Sequence, residues 1–240
     1  DRAVRSARAA FDDGRWRFLA PLEQERRLRR LAALLADHAD ELADLDVIDS
    51  GLLRLYAGFI VQFAVDGIDY YSGWPTKLRG SVPAVPHEFA VYQVREPIGV
   101  VGAIVPWNGP TAAAAMATFA LAAGNSVVLK PAEQTPMSAV LVAELALEAG
   151  IPPGVFNVVQ GTGQPVGAAI VAHPEVDAIT FTGSGPTGRA IQAAAAARVK
   201  RVSLELGGKS PSIIFPDADL EAATAAAAMG VWGASGQVCT

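Results

Sequence analysis

AITFTGSGPTG, at residues 178–188, is an apolar run that ends in three glycines with the spacing G-x-G-x-x-G. The run predicts a short β-strand, and the alanine-rich residues after it predict a helix that begins at these glycines. Backbone amides at a helix N-terminus suit a pyrophosphate group, and glycine leaves it room to approach. This stretch therefore predicts a dinucleotide-binding turn, with a glycine turn that merely packs a helix on a strand as an equal alternative.

The same alternation of strand and helix extends on both sides of this turn. Apolar runs predict five short strands, at residues 98–105, 126–129, 156–159, 178–182 and 201–206. A helix is expected at about 111–123, and another with Thr135 as its N-cap, Pro136 in its first turn and Gly150 beyond its end. Five strands joined by right-handed crossovers predict an α/β fold with a doubly wound, Rossmann-like parallel sheet.

The residues before the first strand have a different pattern of apolar and charged side chains. Residues 1 to about 70 carry leucine and alanine at helical spacing among charged residues, and they predict amphipathic helices. Residues 73–96 are rich in Pro, Gly and Val, and the alternation of Phe89, Val91 and Gln93 predicts an exposed strand.

Composition narrows the class of protein. The 240 residues are 51% hydrophobic and 18% charged, which is enough apolar material for one sizeable core and part of a second. A net charge of −5 provides no general attraction to nucleic acid or an anionic membrane, and no apolar run is long enough to cross a bilayer. Four arginines at residues 26–30 form either a basic stripe or, as we expect, a solvated helix face.

A single cysteine and three well-separated histidines exclude a disulfide framework within the chain and show no metal-ligand spacing. We therefore expect no metal and a reducing compartment, the cytoplasm. The chain begins at Asp1 and not at methionine, which leaves open a lost targeting segment upstream.

Two motifs stand at strand ends, where open α/β sheets hold their ligands. Asn108, in Pro106-Trp107-Asn108, is a donor for a developing oxyanion or, more simply, the cap of the next helix. Lys130 and Glu133 form either a ribose-binding pair or an exposed ion pair at a helix entry.

Glu205 lies in LELGGKS, residues 204–210, about twenty residues after the glycine motif. Generic spacing makes Glu205 a ribose ligand, but a carboxylate beside two glycines is equally suited to act as a base facing a cleft. Gly208-Lys209-Ser210 imitates the end of a P-loop, yet Ser203 stands where the first glycine is required. The pattern excludes a nucleotide triphosphatase of this type.

Cys239 is the remaining candidate for chemistry. A lone cysteine is usually inert core, but Gly233, Ser235 and Gly236 predict an irregular, closely approached backbone before it. Such a setting strengthens the case for a nucleophile, with an inert core cysteine as the alternative.

Five motifs stand in the order and spacing of the aldehyde dehydrogenase superfamily, and the chain resembles the N-terminal half of an NAD-dependent, hydrolytic member. They are Pro106-Trp107-Asn108, Lys130-Pro131-Ala132-Glu133, Phe181-Thr182-Gly183-Ser184, Leu204 to Lys209 and Gly236-Gln237-Val238-Cys239. The resemblance extends over the whole chain and is most specific from Ile98 to Thr240.

The resemblance implies a role for each candidate residue. Cys239 is the nucleophile, the Asn108 side chain and the Cys239 backbone amide hold the oxyanion, and Glu205 activates water. Lys130 and Glu133 bind the adenosine ribose of NAD, and Ser184 binds the pyrophosphate. The remaining cofactor contacts are Pro106, Trp107, Gly183 and Gly207.

The resemblance also implies a domain organisation and an activity. Residues 1–206 form the dinucleotide-binding domain, interrupted at about 79–96 by oligomerisation strands, and residues 207–240 begin a second α/β catalytic domain. We expect a homo-oligomer, a dimer or tetramer, that oxidises an aldehyde to a carboxylic acid through a cysteine thiohemiacetal and thioester. The alternatives are the CoA-acylating and reductive branches of the superfamily, or a non-catalytic dinucleotide-binding fragment.

Three departures from the family pattern matter. Gly109 stands where many relatives have a bulky aromatic residue, which predicts a wider substrate tunnel. Leu52-Leu53 follow Asp49-Ser50-Gly51 in place of a common Gly-Lys-Pro. The acidic residue that holds the nicotinamide ribose falls after Thr240, and we expect residues 1–240 by themselves to lack turnover.

Overall fold

The computed structural model describes residues 1–239. Four helices precede the sheet: α1 (Arg2–Asp12), α2 (Pro21–Asp37), α3 (Ala39–Ser50) and α4 (Arg54–Ser72). The next elements are β1 (Val100–Ile104), α5 (Pro110–Ala117), α6 (Phe119–Ala122), β2 (Ser126–Lys130), α7 (Met137–Glu148) and β3 (Phe156–Val158). A π-helical turn (Gly163–Gly167), α8 (Ala168–Ala172), β4 (Ala178–Gly183), α9 (Gly185–Ala196), β5 (Arg201–Leu206) and α10 (Leu220–Trp232) follow.

All five strands form one parallel sheet in the order β3-β2-β1-β4-β5. The chain first builds outward from β1 to β3, then returns to the other side of β1 with β4 and β5. Two neighbouring crossovers therefore leave β1 in opposite directions, which opens a crevice at the carboxyl ends of β1 and β4. The predicted doubly wound α/β fold is confirmed.

Helices cover both faces of the sheet, and β1 and β2 are buried along their whole length. Val101 and Val127 face a core that includes α2 to α7, whereas Val100 and Val128 face a second core with α1, α8 and α9. Successive side chains of a strand point to opposite faces, so strands covered on both sides read as continuous apolar runs. This is why the sequence pattern located them within one or two residues.

The segment at 79–96 differs from its prediction. Every residue in it is exposed, and its only pairing in the structure described is the antiparallel bridge between Ser81 and Gln93. The alternation at Phe89 to Gln93 does not produce a regular strand here, because no apolar surface of residues 1–239 covers either face of it.

Two helix boundaries also differ. The helix expected at 111–123 is interrupted at Thr118, whose hydroxyl donates to the Ala115 carbonyl at 2.6 Å. Pro136, and not Thr135, is the N-cap residue of α7, and the buried Thr135 hydroxyl has no hydrogen-bond partner. The predicted Thr135 cap is wrong, because the first amide of α7, that of Met137, donates to the Asp49 carboxylate of α3.

The arginines at residues 26–30 lie on α2, and three of them pair with acids. Arg26 and Arg27 contact Glu23, and Arg29 contacts Glu25 and Asp69. These pairs neutralise much of the stripe and agree with a solvated helix face. Within residues 1–239, none of the helices has both the length and the apolar character needed to cross a bilayer.

Candidate functional site

A cleft of about 890 Å³ opens at the carboxyl ends of β1, β2 and β4. Its volume falls in the range of roughly 300–1,000 Å³ that small-molecule sites occupy. Six of the predicted cofactor residues line it: Pro106, Trp107, Lys130, Glu133, Gly183 and Ser184. The topology therefore brings together motifs that are up to 78 residues apart in the sequence, from Pro106 to Ser184.

Lys130 is the last residue of β2 and is 2% exposed. Its ammonium group donates to the Pro131 carbonyl at 2.6 Å and to Glu133 Oε2 at 3.2 Å. A buried charge is tolerated only with such partners. The third N–H of the ammonium group remains for a ligand in the cleft.

The Glu133 carboxylate lies at the exposed mouth of the cleft. A hydrogen bond from its own backbone amide has the largest effect and lowers its pKa below the usual value; partial burial opposes this, and Lys130 and the Gly163 amide add smaller lowering effects. Glu133 is therefore ionised at neutral pH. An ionised carboxylate accepts bonds from hydroxyl groups and repels a phosphate.

Ser184 joins β4 to α9 at the glycine motif. Its hydroxyl caps the helix, accepting from the Thr187 amide at 3.4 Å and bonding to the Thr187 hydroxyl at 2.9 Å. The first turn of α9 carries no acidic residue, so its N-terminal dipole is not neutralised locally. This end of α9 faces the cleft and suits an anionic ligand group.

Gly188, the third glycine of the motif, lies where α9 packs on β5. A Cβ at this position would lie 2.7 Å from Leu206 Cδ2, so α9 can approach β5 closely only without a side chain here. Close packing of helix on strand is the role of the third glycine in a dinucleotide fingerprint. The turn packs α9 on β5, as one sequence interpretation predicts, and it also borders the cleft.

One wall of the cleft was not predicted. The π-helical turn and α8 contribute Gly163, Gly167 and Val171 to the lining. Gly167 is buried, and a Cβ there would lie 3.7 Å from Lys130 Cδ. The only signal in the sequence was a run of glycines at 161, 163 and 167, which lacks a recognised spacing.

Asn108 follows β1 and lies beside the segment that leads to Cys239. Its side-chain amide donates to the Gln237 carbonyl at 2.7 Å. The simpler prediction, that Asn108 caps the next helix, is wrong: Gly109 is the N-cap residue of α5, and no side chain of that turn caps it. Asn108 instead holds a backbone segment 129 residues away.

Cys239 is exposed, and the loop after β5 lies against its backbone. A Cβ on Gly208 would lie 3.0 Å from the Cys239 carbonyl oxygen. The loops that follow β1 and β5 therefore converge on residues 237–239. This second cluster lies outside the lining of the cofactor cleft, as do Asn108, Glu205 and Gly207.

Glu205 lies on β5, opposite Thr182 of β4. Its side chain is exposed, because β5 is the edge strand of the sheet as residues 1–239 form it. The side chain of Glu205 is therefore not enclosed by any part of residues 1–239. Gly207, the next predicted cofactor residue, is also exposed and away from the cleft.

Within residues 1–239 there is no group of three His, Cys, Asp or Glu side chains placed to hold a metal ion. The parallel sheet, the glycine turn and the cleft where the strand order reverses define a doubly wound, Rossmann-like α/β protein. The chain matches the sequence model of the Aldehyde dehydrogenase family over residues 1–240 and belongs to that family.

Its relatives come from bacteria, plants and animals. The chain is 47% identical over 242 residues to aldehyde dehydrogenase 1 of Tanacetum cinerariifolium, covering 100% of this chain and 48% of that protein. It is 46% identical over 246 residues to phenylacetaldehyde dehydrogenase of Pseudomonas fluorescens, covering 99% of this chain and 49% of that protein. The chain spans about half the length of the curated relatives it matches.

The fold agrees with solved structures of the family. The NAD⁺ complex of an aldehyde dehydrogenase from Bacillus cereus superposes with a TM-score of 0.96 at 44% identity, covering 99% of this chain and 49% of that chain. The aldehyde dehydrogenase KauB from Pseudomonas aeruginosa superposes with a TM-score of 0.97 at 44% identity. That match covers 100% of this chain and 49% of the solved one.

Proposed function

We propose that the full-length protein oxidises an aldehyde to a carboxylic acid with NAD, through a covalent intermediate on Cys239. One observation carries the proposal. The Asn108 amide, at the end of β1, is bonded to the backbone that leads directly to the only cysteine of the chain. A fixed amide donor beside a thiol is the pairing that acyl chemistry on a cysteine requires.

The cleft fits the cofactor by charge and by shape. Glu133 offers an acceptor for ribose hydroxyls, Lys130 a donor, and the Ser184 end of α9 a site for pyrophosphate. Pro106, Trp107 and Gly183 complete the proposed contacts. Gly207 lies outside this cleft and is proposed only through the resemblance.

Cys239 is proposed to begin the reaction as a thiolate. Its sulfur forms a bond to the aldehyde carbon, and the electron pair of the carbonyl moves to the oxygen. The Asn108 amide has two N–H groups, of which one bonds to Gln237, so the other can donate to this oxyanion together with the Cys239 backbone amide. When bound, NAD supplies the acceptor for the hydride that leaves the same carbon, so that the acyl group remains on Cys239 as a thioester.

Glu205 is proposed to remove a proton from the water that attacks this thioester. The new carbon–oxygen bond forms, the carbon–sulfur bond breaks, and Cys239 leaves as the thiolate. Neither the CoA-acylating branch nor the reductive branch needs a base that activates water, so Glu205 favours hydrolysis.

The segment at 79–96 supports a proposal about assembly. Its exposed residues and single bridge, Ser81 to Gln93, are suited to become regular strands when a second copy pairs with them. We propose a homo-oligomer, a dimer or tetramer, in the cytoplasm, where a lone thiol stays reduced.

The test separates the two chemical steps in the full-length protein. Cys239→Ala should abolish aldehyde-dependent NADH formation. Glu205→Gln should still give a burst of NADH, with an acyl-enzyme on Cys239 detectable by mass spectrometry, and should slow acyl release. A Cys239→Ala variant that retains turnover would overturn the proposal, and CoA-dependent acyl release would favour the CoA-acylating branch.

A further inference from the structure

Two carboxylates of α3 bond to the first turns of two other helices. Asp46 Oδ2 accepts from the Thr111 amide at 3.2 Å, and its Oδ1 accepts from the Thr111 hydroxyl at 2.9 Å. Asp49 Oδ2 accepts from the Met137 amide at 2.9 Å. Thr111 is the second residue of α5, and Met137 is the first residue of α7.

Neither helix has a cap of its own. The N-cap residues are Gly109 for α5 and Pro136 for α7, and no side chain near either start accepts from its free amides. The first four amides of a helix need acceptors, and a carboxylate also favours the positive end of the helix dipole. Asp46 and Asp49, three residues apart on α3, supply these acceptors from outside both helices.

These helix starts adjoin the two motifs at the cleft. Thr111 comes three residues after Asn108, and Met137 comes four residues after Glu133. The loop at 106–108 joins β1 to α5, and the loop at 130–133 joins β2 to α7. Each loop is therefore held at one end by the sheet and at the other by a carboxylate of α3.

The buried carboxylate of Asp46 is not explained by stability alone. Asp46 is fully buried, and burial raises its pKa to about 6 against the bonds from Thr111. Keeping the ionised form at neutral pH therefore costs free energy that a neutral side chain would not. What the two oxygens of Asp46 add is a pair of acceptors that fix the direction of the start of α5.

We infer that Asp46 and Asp49 are positioning residues that hold the two walls of the proposed NAD cleft separately. Asp46 holds the 106–108 wall through α5, and Asp49 holds the 130–133 wall through α7. The inference rests on the proposed function, in which Lys130 and Glu133 hold the adenosine ribose. It assigns a role to an acidic pair on α3 that touches neither cofactor nor substrate.

The experiment measures binding of AMP and NAD to the full-length protein by isothermal titration calorimetry. AMP carries the adenosine ribose but no nicotinamide half. Asp49→Leu should weaken both ligands by about tenfold, well below the hundredfold that a displacement of about 1 Å costs a reacting geometry. Asp46→Leu should weaken NAD severalfold, leave AMP within about twofold, and lower kcat even at saturating NAD.

Matched variants separate positioning from folding. Asp46→Asn and Asp49→Asn keep an oxygen acceptor at the same side-chain volume and should bind both ligands as the parent protein does. Asp44→Leu is the control on the same helix, because Asp44 is exposed and pairs only with Arg54. If the leucine variants do not fold, Asp46→Ala and Asp49→Ala replace them.

The outcomes distinguish the inference from the function on which it rests. If the parent protein binds NAD and AMP but both acidic variants affect the two ligands equally or not at all, the inference is wrong and the proposed function stands. If the alanine variants also fail to fold, the carboxylates serve folding and the inference is again wrong. If the parent protein binds neither ligand, the proposed function fails and the inference with it.

Discussion

The side-chain amide of Asn108 donates to the Gln237 carbonyl at 2.7 Å, and this bond joins the end of β1 to the residues before Cys239. Asn108 is half-buried, so its position is set by the sheet on one side and by this bond on the other. A donor held in this way does not need to reorganise when charge develops on a neighbouring oxygen.

Asn108→Ala should therefore lower kcat for aldehyde oxidation by about a hundredfold to a thousandfold, which is the usual cost of losing one oxyanion donor. The dissociation constant for NAD should stay within about twofold, because Asn108 does not line the cofactor cleft. Stopped-flow measurement of NADH formation gives the first quantity and calorimetry the second. Gln237→Ala is the control, since it keeps the backbone carbonyl, and an equal loss of kcat in that variant would contradict the assignment.

Glu133 should make the protein prefer NAD over NADP. Its pKa is held below the usual range, so the carboxylate is charged at neutral pH and repels a 2′-phosphate. Glu133→Ser should narrow the ratio of kcat/KM for the two cofactors by about tenfold, corresponding to about 1.4 kcal/mol. Gln134→Ser, a neutral neighbour in the same cleft, should leave the ratio unchanged. A parent protein that prefers NADP would refute this prediction.

Gly109 should admit bulky aldehydes near the nucleophile. Its backbone is extended, with φ −165°, so a side chain fits there without backbone strain. A Cβ would first meet Ile60 Cδ1 of α4 at 3.4 Å, so a phenylalanine ring has to extend past Ile60. Gly109→Phe should raise KM for aromatic or branched aldehydes much more than KM for acetaldehyde, and Gly109→Ala should change both little. Equal effects of Gly109→Phe on all aldehydes would show that this position does not shape the tunnel.

Asp46 should make the free energy of unfolding depend on pH between about 4 and 6. Burial, and to a smaller extent the charge of Asp49, raises its pKa from 3.8 to about 6, while the hydrogen bonds from Thr111 lower it. The folded state therefore binds more protons than the unfolded state in this range, and the contribution of Asp46 to stability falls as the pH rises.

Asp46→Asn should remove this dependence. Between pH 5 and pH 7.5 the free energy of unfolding of the parent protein should change by about 1.4 kcal/mol more, in the unfavourable direction, than that of the variant. Urea unfolding of both proteins at the two pH values measures the difference. Asp44→Asn, an exposed acid on the same helix, should follow the parent protein. Parallel pH profiles for the parent and Asp46→Asn would show that Asp46 is not the group responsible.

The local pattern of apolar residues was sufficient to predict most strands of the sheet. The prediction of β5 at 201–206 matches the structure residue for residue, and β1 and β2 agree within one or two residues at each end. Strands covered on both faces need apolar side chains at every position, and this requirement is visible in the sequence itself. Family motifs then located six residues that the structure brings to one cleft.

Capping could not be predicted in the same way. Thr135 and Asn108 have the residue types of helix caps, yet α7 and α5 receive their acceptors from Asp49 and Asp46. These carboxylates lie 88 and 65 residues before the amides that they bind. A cap supplied from another helix leaves no local signal, because its partner is set by how the helices pack.

The sequence by itself determined the five strands of the sheet, their parallel α/β arrangement, and the motifs at the strand ends, since all of these depend on side-chain type and near neighbours. Tertiary structure alone decided that Asn108 reaches Gln237, that α8 forms one wall of the cleft, and that Glu205 is exposed on an edge strand. Contacts of this kind depend on the order of strands and on helix packing. Burial and hydrogen-bond partners are properties of the folded chain, and they cannot be predicted from residues that are neighbours in the sequence.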